Sequence, residues 1–167
     1  MDKRYLLIFI IIIICLANLS IIVNNSDVVG SASVSVGKYI FSIPKDFSLD
    51  ENNGNSAYIE NKNNNISIHI ETNLSDSDTY NRRLNYIENE TNNTILSKGT
   101  VSIENITVHT VYYKTMKNNN KSAFYFEKNN TQFKIIVSNF NYNEDRDLTL
   151  DYITFIIKSM EYDYKTG

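Results

Sequence analysis

With 167 residues, and an N-terminal stretch apolar enough to stand apart, the chain has room for one domain with a core of its own. The net charge of −3 is spread as interspersed acidic and basic residues, which excludes a phosphate-binding surface and with it nucleic acid as a partner. A single cysteine excludes an intramolecular disulfide and a cysteine metal site, and the excess of Asn, Ile, Lys and Tyr over Pro and Trp reflects an AT-rich coding sequence, not a function.

The first element is the apolar run from Tyr5 to Val23, broken only by Asn18 and Ser20, which as a helix covers about 28 Å and matches a bilayer core. Lys3 and Arg4 precede it and no basic residue follows until Lys38, so the positive-inside rule puts the N-terminus in the cytoplasm and the remainder outside. A retained single-pass anchor is the expectation. The alternative is a cleaved signal with Tyr5 to Ala17 as its apolar region and a small residue, Gly30, after Val28 and Val29. Cys15 lies inside the run, and Ile14 stands before it where a lipidation signal has a small residue.

Residues 24–33, rich in Asn, Ser and Gly, suit a flexible linker, and the extracytoplasmic domain is expected over 34–167. Val34, Val36, Tyr39, Phe41 and Ile43 give a strand signal with an irregularity at Gly37-Lys38, stopped by Pro44 because proline cannot donate to a sheet ladder. Asp50 to Asn55 is a polar turn cluster. A hairpin follows, with arms at Ser56 to Glu60 and Ile66 to Glu71 around a second Asn-rich turn; strict alternation buries Ile66, Ile68 and Ile70 and turns His69 and Glu71 the other way.

The period then changes. Ser75 and Asp78 resemble a capping box, and Tyr80, Leu84 and Ile87 recur at helical spacing, so Asp76 to about Glu90 is expected to be an amphipathic helix whose wet side carries Arg82, Arg83, Glu88 and Glu90. Strands are expected at Thr94 to Ile103, Ile106 to Met116, Lys121 to Glu127 and Thr131 to Asn139, the last two joined by a short loop at Lys128-Asn129-Asn130. The final element is a helix from about Glu144 to Glu161, capped by Asn143, with Glu144, Asp145 and Asp147 near its positive end and an apolar stripe of Leu150, Ile153, Ile156, Ile157 and Met160. Two helices amid strands joined by short turns predict an α+β domain: a mainly antiparallel sheet of about six to seven strands with helices packed on it.

The order of these elements, with Tyr39, Phe41, Ile43, Pro44 and Phe47 at the start, Gly99 to Tyr113 in the middle and Asp151 to Met160 at the end, resembles the PsbP/DcrB-like superfamily. The resemblance implies a noncatalytic α-β-α sandwich, used elsewhere as an extrinsic photosystem subunit, a small GTPase-binding factor and an envelope lipoprotein. It maps no site onto particular residues, and the lipoprotein comparison lacks its lipobox.

Motifs for phosphate loops, zinc helices and serine nucleophiles are absent from the sequence, and no cofactor is expected. His69 and His109 are the two candidates for a general base or metal ligand, with Glu71 and Glu60 near His69, although isolated strand histidines are more often ordinary surface residues. Tyr112, Tyr113, Phe124, Tyr125 and Phe126 fall on two strands expected to pair, where core packing outweighs a binding patch. Asn-x-Ser/Thr sequons start at Asn24, Asn65, Asn73, Asn89, Asn92, Asn105, Asn120 and Asn129, as candidates for glycosylation beside the chance sequons such a composition produces. The expected function is a membrane-anchored binding or accessory module without catalysis, its partner an envelope protein or polysaccharide. The alternatives are a hydrolase or metal-dependent enzyme using His69 or His109, and a structural envelope component.

Overall fold

The computed structural model describes residues 32–74, 79–89 and 93–164. The expected anchor at 5–23, the sequons at Asn24 and Asn92, the capping pair Ser75 and Asp78, and Glu90 lie outside them.

Strands β1 (Ser33–Val36) and β2 (Tyr39–Ser42) form a hairpin, where one interrupted strand was expected. The chain reverses at Gly37-Lys38, pairing Val34 with Phe41 and Val36 with Tyr39, so all four face one side although the apolar positions shift from even to odd across the turn. Gly37 takes φ of +59°, and a Cβ there would lie 2.8 Å from the Thr72 methyl. Gly37→Ala should therefore cost about 2–3 kcal/mol, read as a lower urea midpoint at unchanged m-value. An unchanged midpoint would show that the turn relaxes freely. The short β10 (Glu161–Tyr162) pairs with β2 and completes a three-stranded sheet.

The larger sheet has seven antiparallel strands, so the described residues hold ten strands in two sheets instead of six or seven in one. Its strands are β3 (Ser48–Asn52), β4 (Ser56–Asn61), β5 (Ile66–Thr72), β6 (Thr94–Ile103), β7 (Ile106–Lys114), β8 (Asn120–Lys128) and β9 (Thr131–Ser138), in the spatial order β3-β4-β5-β9-β8-β7-β6. Their hairpins turn on residues that tolerate left-handed backbone: Glu104 and Asn105 (φ 48° and 66°) join β6 to β7, and Asn129 and Asn130 (49° and 61°) join β8 to β9. The turn is confined to residues 53–55, and the first half of the expected cluster, Asp50 to Asn52, belongs to strand β3. This strand is exposed throughout and bulged between Leu49 and Glu51, an edge strand held by backbone pairing with no apolar alternation to announce it.

One face of the large sheet carries Ile59, Ile68, Ile70, Phe124, Phe133 and Ile135, all fully buried under the small sheet and helix α2 (Tyr142–Ser159). Ile153, Ile156 and Ile157 of α2 have no exposure, as the stripe predicts. Asn141 caps α2, two residues before the expected Asn143: its side chain accepts from the Asn143 N–H at 3.2 Å, while Asp145 accepts from the Asn141 N–H at 2.8 Å. The helix ends at Ser159, where the Lys128 ammonium donates to the Met160 carbonyl at 2.6 Å, a cation at the negative end of the dipole.

The opposite face is covered in part. Helix α1 (Tyr80–Asn89) starts four residues later than expected, with the Thr79 carbonyl accepting the Arg83 N–H. It lays Ile87, Leu84 and Tyr80 over Val111, Tyr113, Ala123 and Tyr125 of β7 and β8. Arg83 lies 4.7 Å above the Tyr86 ring, and Glu88 pairs with Lys98 of β6 on the wet side.

Candidate functional site

Cross-strand register on the α1 face brings polar residues from four strands into one row. His109 of β7 lies opposite Tyr125 of β8, Tyr125 opposite Lys134 of β9, and Lys134 opposite Glu71 of β5. Tyr80, the first residue of α1, stacks on His109 with ring centroids 4.6 Å apart and planes at 21°, and tilts against Tyr125 at 5.7 Å. Between this aromatic group and the β6-β7 and β8-β9 turns opens a cleft of about 410 Å³, to which Asn105, Glu127 and Gln132 also contribute. Among the described residues, no lysine or arginine lines it.

The two histidines share this face without meeting. His69 sits on a neighbouring row with Ile136, Ala123 and Val111, three strand spacings from β7, or about 14 Å. Its Nδ1 lies 3.3 Å from Glu71, whose other carboxylate oxygen pairs with the buried ammonium of Lys134. Glu71 is thus the carboxylate partner of His69 that the sequence placed nearby, whereas Glu60 lies opposite Ser67. Among the described residues, no group of three or more His, Cys, Asp or Glu is placed to hold a metal ion.

The aromatic constellation divides as adjacent strand residues must. Tyr112, Phe124 and Phe126 enter the core beneath α2, and Tyr113 and Tyr125 the smaller cluster beneath α1. Burial raises the Tyr112 and Tyr113 phenols above their ordinary range, so both rings stay neutral through the physiological range.

The described sequons fall into two groups. Asn65, Asn89, Asn105 and Asn129 are exposed, three of them in left-handed turns, whereas the side-chain nitrogen of Asn73 donates to Asn55 at 3.0 Å and that of the half-buried Asn120 to the Phe140 carbonyl at 2.9 Å.

Sequence reasoning gave Tyr80 only as an apolar helix position and passed over Glu127, Gln132 and Lys134. Alternation puts Tyr125 and Glu127 on one face; what was missing is the register that sets β5 beside β9, a pairing of strands distant in sequence.

By fold, the domain is similar to solved structures of proteins with little sequence in common with it. The Ran-binding protein Mog1p of Saccharomyces cerevisiae is 12% identical over 80% of this chain and 96% of its own, with a TM-score of 0.50. A Bacteroides thetaiotaomicron structure is 11% identical with a TM-score of 0.54, matching 83% of this chain but 51% of its own length. A cyanobacterial PsbP from Synechocystis sp. PCC 6803 gives 12% identity over 78% of this chain and 91% of its own at a TM-score of 0.49. No family model and no curated protein matches the sequence. The domain shares with Mog1p the α+β fold that the resemblance in sequence pattern implies. At such identities the likeness extends to the fold alone.

Proposed function

We propose that the folded part of the chain is a noncatalytic binding or accessory domain, held outside the cytoplasm by the apolar segment 5–23. The observation that carries the binding reading is the placement of the titratable groups: the cleft brings His109 and Glu127 beside aromatic rings, while His69 and Glu71, three strands from His109 and two from Glu127, belong to a separate ion-pair group. A binding surface needs shape and complementary polar groups, whereas turnover needs acid, base or nucleophile converging on one point. The Ran-binding protein with this fold supports a protein partner, and for an exported domain an envelope protein or polysaccharide fits that role. Crosslinking on native membranes followed by capture of the chain should recover one such component, with no turnover across hydrolase and transferase substrates. Turnover that survives repurification and is lost on His109→Ala would overturn the reading.

The tether rests on Lys3 and Arg4 ahead of the apolar run. Protease added to intact cells stripped of their outer wall should digest the domain and leave the N-terminal segment in the membrane; full protection would contradict this topology. In the same preparation the native mass should exceed that of the bare chain by glycan increments. Asn65 and Asn129, exposed and clear of the cleft, are the sites where substitution should remove them.

A further inference from the structure

We infer that the cleft under the N-terminal end of α1 is a carbohydrate site, taking one or two uncharged sugar rings. This rests on the binding reading above and gives that reading a ligand class. At about 410 Å³ the cleft is within the range of small-molecule sites. Its lining decides the chemistry. An anionic ligand such as a phosphate or carboxylate meets no lysine or arginine among the described lining residues, and the Glu127 carboxylate repels it. A purely apolar ligand would make no use of Asn105, Glu127 and Gln132 at the exposed rim of the cleft. An organic cation would find a single carboxylate, Glu127, among the described lining residues. A sugar satisfies all of them: each hydroxyl both donates and accepts, the two carboxamides do the same, and the carboxylate accepts from two neighbouring hydroxyls.

The aromatic residues supply the other half of the recognition. A pyranose presents a face of C–H groups that packs flat on a ring, and Tyr80 is held for this by His109 stacked at 4.6 Å and by Tyr125 tilted at 5.7 Å. The platform is rigid because His109 and Tyr125 project from paired residues of two central strands. Glu127, Gln132 and Asn105 belong to exposed hairpin ends, so their side chains contribute to the cleft and not to the core.

The test uses the full chain in a detergent without a sugar headgroup, titrated with glucose, galactose, mannose, N-acetylglucosamine and their β-1,4 disaccharides, with choline and inorganic phosphate as charged probes. At least one neutral sugar should bind saturably, and Glu127→Gln, a change at an exposed position, should weaken it at least tenfold. Tyr80→Phe, which keeps the ring, should retain binding that Tyr80→Ala loses. Choline or phosphate binding in place of sugars, no sugar binding, or sugar binding indifferent to both Glu127→Gln and Tyr80→Ala would overturn the inference. So would a native glycan on Asn105, which would fill the mouth of the cleft. If sugars fail while crosslinking still recovers a specific protein, the binding reading stands and the carbohydrate class falls. If bound disaccharide is cleaved in a Glu127-dependent way, the sugar class stands and the noncatalytic reading falls.

Discussion

Phe133→Ala is expected to destabilise the domain by about 3–5 kcal/mol, the usual cost of truncating an enclosed aromatic ring. Phe133 has no solvent exposure and sits where the two sheets meet: Tyr39 of the small sheet packs edge-on against it at 5.0 Å, and Phe126 of the next strand stacks on it at 5.1 Å and 11°. The cavity cannot collapse easily, because Tyr39 is itself fixed by a hydrogen bond from its hydroxyl to the Lys128 carbonyl at 3.0 Å. Against a total stability of about 5–15 kcal/mol, such a loss removes a large fraction of the folding free energy. Urea unfolding followed by tyrosine fluorescence should show it as a lower midpoint at unchanged slope, with Leu49→Ala, at 45% exposure on the edge strand, as a control near zero. A Phe133→Ala cost below about 1 kcal/mol would mean that the small sheet does not lock onto the large one through this ring.

How far the sequence reveals this architecture depends on whether a residue's neighbours are near it in the chain. Strand β5 and the β8-β9 hairpin were legible because alternation and Asn-rich turns are local signals, and the α2 stripe of Ile153, Ile156 and Ile157 because a helix repeats its buried face within a few residues. The β1-β2 reversal shows only as a break in alternation, from even positions at Val34 and Val36 to odd ones at Tyr39 and Phe41, which fits an irregularity within one strand as well as a two-residue turn. Strand β3 was hidden, having no buried side chain to report it. The cap of α2 is displaced because Asn141, two residues before the expected Asn143, can serve equally well, and backbone geometry chooses it. The cleft needed the most. Its members come from the start of α1 and from the consecutive strands β7, β8 and β9, and what brings them together is the docking of α1 on that meander, which no local pattern announces.

The same register creates the second large effect. Lys134 is 6% exposed and pairs with Glu71 across the β5-β9 ladder, and Glu71 also meets the His69 Nδ1 at 3.3 Å. A buried ammonium is tolerated because a carboxylate faces it, so removing that carboxylate is expected to cost far more than removing the ammonium. Glu71→Ala should destabilise by about 3–5 kcal/mol, since Lys134 must then be desolvated without its counter-charge or give up its proton. Lys134→Met keeps the length and apolar stem of the side chain, and it leaves a carboxylate that is 27% exposed and still beside His69; its cost should be about 1 kcal/mol or less. In the double variant the penalty of Glu71→Ala should largely disappear, giving a coupling of about 2–4 kcal/mol in a double-mutant cycle by urea unfolding at pH 7. Equal and additive costs would show that Lys134 draws its stabilisation from elsewhere. Lys134 also lies directly across from Tyr125, which abuts Tyr80, so the pair underlies the floor of the cleft as well as the middle of the sheet. Glu71→Ala should accordingly weaken ligand binding in proportion to the folded fraction it removes, whereas Lys134→Met should leave both fold and binding in place.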